Sequence, residues 1–100
     1  MGVIPEELRE PIRAQLQRLV VGDLPDLLVW VNDYGKSGAT LVDQPDDVWS
    51  HPDSEAIATP DGSWHVILPL WTTEESPSDL SADLAIDRDL IVTILDVHVL

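Results

Sequence analysis

The residues with the clearest capacity for chemistry are His65, Asp96 and His98. Asp96 and His98 are two apart, so on a strand they share one face. A histidine from a neighbouring strand, His65, would complete a zinc-type ligand set with them. Whether it does depends on strand register, which spacing leaves open. The favoured reading of His98 is a hydrogen-bonded histidine near a sheet rim, with no metal and no cofactor assigned. His65, Asp96 and His98 are kept as candidates for a small-ligand pocket between helices and sheet.

Other groupings are weaker. Asp43, Asp46, Asp47, His51, Asp53 and Glu55 crowd one region and offer hard oxygen ligands. Their spacing matches no EF-hand loop: counting from Asp43, position twelve is Ser54. A solvated acidic loop is the better reading. Gly35-Lys36-Ser37 has the ending of a phosphate-binding loop. Trp30 stands where that motif needs its first glycine, and the flanking strand and helix are missing. Glu74, Glu75 and Asp79 surround one connection that reads as exposed, which gives no reason for their pKa values to separate as an acid–base pair requires. They read instead as a charged recognition loop. No serine sits in a nucleophile-elbow context, so no catalytic residue is assigned. There are four tryptophans, one tyrosine and no phenylalanine. Trp64 reads as core, whereas Trp49 and Trp71 read as partly exposed anchors for a protein surface.

These residues need elements to hold them. Leu8, Ile12, Leu16, Leu19 and Val20 recur at helical spacing between Pro5 and Val21. Pro11 requires either a helix starting near Glu10 or an initial turn kinked onto it. Gly22 fits a left-handed stop. Asp23 then reads as the cap of a second helix from Leu24 to about Tyr34, buried through Leu24, Leu27, Leu28 and Val31, with Trp30 near Tyr34 and Gly35 ending it. Ala39–Val42 reads as a short strand or the edge of a loop, and Glu55–Thr59 as a short edge strand. Pro60-Asp61-Gly62-Ser63 is a turn in which glycine supplies positive φ. Three apolar runs follow: Trp64–Trp71, Leu80–Ile86 with one wet face, and Leu90–Leu100, read as a central strand because Ile91–Leu95 is apolar on both faces. The fold class is therefore α+β: two N-terminal helices on a three- to four-stranded antiparallel meander, in one domain spanning residues 1–100.

Charge is the most unusual property of the composition. The chain has 5 basic and 19 acidic side chains, a formal net charge of −14. Residues 1–22 are balanced, so the whole excess lies beyond them. Such a field repels nucleic acid and anionic membranes and attracts basic proteins. With no cysteine, there is no disulfide framework and no sulfur-based metal or nucleophile. Met1–Arg9 lacks the basic and apolar regions of a signal peptide, and no apolar run reaches about 18 residues. The expectation is a cytoplasmic protein that is not a membrane protein.

Leu70-Trp71-Thr72-Thr73-Glu74-Glu75, Ser78-Asp79-Leu80 and the terminal Asp96-Val97-His98-Val99-Leu100 resemble a family of small uncharacterised bacterial domains. Its members carry an LWT-x-EEG-x-SDL segment and end in D-I-H-V-L. Leu19-Val20-Val21-Gly22-Asp23 and Tyr34-Gly35 also match it. Ser76-Pro77 replaces the family's glycine and usual basic residue, so any anion-binding role of that loop is lost here. The family has no assigned activity, and the resemblance implies fold order rather than function. The layout is also similar, at fold level only, to nuclear-transport-factor-2-like and cystatin-like folds.

The functional expectation is a small acidic binding protein that docks a basic protein partner, in the manner of an immunity protein or antitoxin. Trp49, Trp71, Glu74, Glu75 and Asp79 would form the surface. The alternative is a ligand-binding or weakly catalytic pocket using His65, Asp96 and His98. A homodimer paired through the apolar terminal strand is a third possibility.

Overall fold

The computed structural model describes residues 4–32, 40–75 and 77–99. Its first element, α1, runs Glu6–Val20 with Pro11 inside it. Proline there removes one helical hydrogen bond, at a cost of about 3 kcal/mol. The stripe outweighs that cost. Leu8, Ile12, Leu16 and Leu19 are all buried, each contributing about 1.5–3 kcal/mol. The helix ends on a paired left-handed cap. Gly22 has φ +89°, its N–H donates to the Leu19 carbonyl, and the Asp23 N–H donates to the Arg18 carbonyl.

The expected second helix does not form. The Asp23 N–H closes α1, and no side chain caps the segment that follows. Pro25–Leu27 makes a 3-10 turn, closed by the Leu28 N–H on the Pro25 carbonyl. Val29–Asn32 adds a short helical turn. Leu24, Leu27 and Leu28 still pack against the core, so tertiary burial uses the helical spacing without a continuous helix. The expected end of that helix at Tyr34–Gly35, and Gly35-Lys36-Ser37, lie outside the described residues.

The strands are β1 (Glu55–Ala58), β2 (Trp64–Pro69), β3 (Leu80–Ile86) and β4 (Val92–Val99). They form an antiparallel meander in sequence order. The architecture is α+β: one helix and a four-stranded antiparallel sheet. Leu41 adds an isolated bridge to Thr72. The inner face carries Val66, Leu68, Ala82, Leu84, Ile86, Val92, Ile94 and Val97, all buried in one cluster with the α1 stripe. The β1–β2 turn follows its sequence signal, with Gly62 at φ +89°.

β4 is an edge strand, not the expected central one. Ile91 and Leu95 are 62% and 54% exposed. The register explains Leu95. Ile94 pairs with Leu84 and Asp96 with Asp83, so Leu95 is one extra residue at a β-bulge. The bulge resets the alternation: Val97 points into the core, and Asp96 and His98 point out. Among the described residues, no helix is long and apolar enough to cross a membrane.

Candidate functional site

The outer face of the sheet gathers a group that the spacing alone did not reveal. Asp83 lies directly across from Asp96, and Ser81 directly across from His98. His98 Nδ1 is 3.4 Å from Asp96 Oδ2 and 3.8 Å from Asp83 Oδ2. One ligand atom from each of the three residues lies within 4.8 Å of the others. The His98 side chain is 28% exposed, yet its Nδ1 atom is fully enclosed and has no hydrogen-bond partner. Leaving such a group unsatisfied costs about 1–3 kcal/mol. Two carboxylates directly opposite each other on neighbouring strands add a repulsion on the order of 0.2–1 kcal/mol. A positive charge placed among these groups would ease the repulsion between the facing carboxylates. Two oxygens and an imidazole nitrogen are a donor set suited to a divalent transition metal.

His65 does not join this group. It pairs with Ala85, in the sheet row that leads to Thr93 on β4. His65, Asp96 and His98 all project from the face opposite the core, so the expected pocket between helices and sheet is not built from them. Asp83 was missed because its role depends on the β3–β4 register and on the bulge. The alternation Ser81, Asp83, Ala85 was the available signal.

The expected protein-binding residues divide into two groups. Glu74, Glu75 and Asp79 are exposed on the β2–β3 connection. Trp49 and Trp71 are not exposed anchors, with only 4% and 9% of their surfaces accessible. Trp49 lies in a 3-10 turn at Asp46–Trp49, with the Arg13 guanidinium 5.3 Å from its ring. Trp71 meets His51 edge-on at 5.5 Å. Gln44 holds the Trp71 backbone from the side: its Oε1 accepts from the Trp71 N–H at 2.7 Å, and its Nε2 donates to the Trp71 and Val42 carbonyls at 3.0 and 2.6 Å. Neither burial is legible from spacing, because distant segments cover both rings.

The connection itself is clamped. Thr72 N–H donates to the Glu75 carbonyl, and Glu75 N–H donates to Thr72 Oγ1. Thr73 N–H reaches the Thr40 carbonyl, and Glu74 Oε1 accepts from the Thr40 N–H. Ser78 donates through both its N–H and its hydroxyl to the Leu70 carbonyl. Ser76 lies outside the described residues.

The 43–55 region does not converge on a cation site among the described residues. Asp46 pairs with Arg13 at 2.6 Å, and His51 Nδ1 accepts from the Asp53 N–H. A cleft of about 460 Å³ opens beside them, lined by Arg9, Arg13, Asp46 and Trp49 among others. Its Arg13 is already committed to Asp46 and to the Trp49 ring. In the β1–β2 turn, Asp61 is held well below the ordinary carboxylate value, at about 2. The Ser63 hydroxyl is the largest cause, followed by the Thr59 hydroxyl and the Ser63 N–H. This network is a turn lock, far in type from a catalytic pair.

Residues 6–100 match the family model described as Domain of unknown function (DUF7668), and the chain belongs to that family. This agrees with the expected membership in a small uncharacterised domain family. No curated protein and no solved structure matches the chain.

Proposed function

We propose that this member of a family of unknown function is a non-enzymatic binding domain that docks a basic protein partner, in the manner of an immunity protein or antitoxin. The carrying observation is the clamped acidic connection between β2 and β3. Glu74, Glu75 and Asp79 stand exposed on a backbone tied down at Thr72, Thr73 and Ser78. A surface already held in its bound shape loses less freedom on association. The surrounding field supports the reading: residues 40–87 contain 11 carboxylates and no lysine or arginine. A partner supplying lysines and arginines would be steered toward this end of the sheet, which raises the association rate more than the final affinity. With Trp49 and Trp71 buried, the contact rests on charge and loop shape rather than on a tryptophan pair.

The test is capture from a host lysate on the wild-type chain and, in parallel, on the Glu74→Gln/Glu75→Gln/Asp79→Asn variant. A basic protein held at low salt and released by moderate salt is expected on the wild type. The variant should lose it, with association slowed by about tenfold or more at low ionic strength. The same proteins eluting from both columns at the same salt would sink the reading.

A further inference from the structure

We propose that Asp83, Asp96 and His98 form a binding site for a divalent transition-metal ion of the zinc class on the outer face of the sheet. The site goes beyond the docking surface proposed above and uses none of its residues. The geometry points there in three ways.

First, the separations fit. Zinc bonds to nitrogen and oxygen are about 2.0–2.2 Å, which places neighbouring tetrahedral ligands roughly 3.3–3.6 Å apart. His98 Nδ1 stands 3.4 Å from Asp96 Oδ2 and 3.8 Å from Asp83 Oδ2, both within a few tenths of an ångström of that spacing, and one ligand atom from each of the three residues lies within 4.8 Å of the others. Second, the enclosed and unpartnered Nδ1 is aimed at both carboxylates. Both contacts are longer than a good hydrogen bond. A lone pair directed at a metal satisfies that atom, and no neighbouring protein group does. Third, the strand is shaped for the cluster. The bulge at Leu95 turns Asp96 and His98 outward beside Asp83, while Val97 keeps its place in the core.

The nitrogen donor separates this set from calcium or magnesium sites, which take oxygen ligands. Three protein ligands leave one tetrahedral position for water or for an outside group, as in zinc sites that are not purely structural. The Asp96 side chain is 61% exposed, which gives an ion a path from solvent.

The experiment titrates zinc into the chelator-treated full chain, read by calorimetry and by thermal unfolding. Cobalt absorption reports the coordination geometry. One ion per chain is expected, with the melting temperature rising on the order of 10 °C at about a hundredfold excess over Kd. His98→Gln and Asp83→Asn should weaken binding by at least about tenfold. His51→Gln and His65→Gln should leave it unchanged. Asp96→Asn guards against a folding artefact. It relieves the facing carboxylates, so the metal-free variant should melt no lower than the wild type while losing the zinc response. Absence of a zinc response in the wild type overturns the proposal. So does a response that survives His98→Gln, or one that disappears equally with His51→Gln.

Discussion

Gln44 offers the sharpest test of how the acidic end of the molecule is held. Its side chain imitates a strand partner for Trp71, accepting from the Trp71 N–H and donating to the Trp71 and Val42 carbonyls. Gln44→Ala removes three hydrogen bonds, each worth about 0.5–1.5 kcal/mol net. It also strands the Trp71 N–H beside a buried ring, an added cost of about 1–3 kcal/mol. Partial rescue by water and by the remaining Val42 N–H contact to the Trp71 carbonyl, at 3.4 Å, brings the expected loss to about 2–4 kcal/mol. That is a large part of the roughly 5–15 kcal/mol typical of a domain. In urea, with a slope of about 1–3 kcal/mol/M, the midpoint should fall by roughly 1–3 M with the slope unchanged. Gln44→Glu separates donor from acceptor. It keeps an oxygen for the Trp71 N–H but sets a carboxylate against two carbonyls, so it should be no more stable than the alanine variant. A loss under about 0.5 kcal/mol for alanine, or wild-type stability for glutamate, would refute the reasoning.

Two further outcomes follow from the turn and the sheet edge. Asp61 titrates near 2 in the folded chain against an ordinary 3.8, so its contribution to stability is complete above about pH 4 and is lost as pH falls toward 2. Asp61→Asn should flatten that part of an acid-unfolding curve, and an unchanged curve would mean the turn network contributes nothing. At the β4 edge, the bulge bends the strand and discourages pairing between copies, so light scattering at micromolar concentration should report a monomer. A dimer that Leu95→Lys dissociates would show instead that the apolar terminal strand pairs as the sequence allows.

What could be read from the chain followed from short-range geometry. The alternation Leu80, Ala82, Leu84, Ile86 marks β3 to its ends, and Leu8, Ile12, Leu16 and Leu19 mark the buried side of α1. Gly22 and Gly62 both take the positive φ their contexts require. What could not be read depended on partners distant in sequence. Leu24, Leu27, Leu28 and Val31 have helical spacing, but a proline turn satisfies the same burial. Trp71 follows a strand and reads as partly free, but Gln44 and His51, twenty or more residues upstream, close over it. Asp83 acquires its neighbours only through a register displaced by one residue, and no periodicity announces that displacement.

The extra residue in β4 also bears on how the chain tolerates changes of length. Because Leu95 is the residue the ladder skips, losing its codon would join Ile94 directly to Asp96 and leave every later side chain on its present face. Losing one codon from the middle of β3 would send each following residue to the opposite face, carrying Asp83 toward the core or Leu84 toward solvent. The terminal strand thus holds a one-residue reserve at the place where the outer-face cluster meets the hydrophobic interior. Length variation among related chains should therefore concentrate at that position and be scarce elsewhere in the sheet.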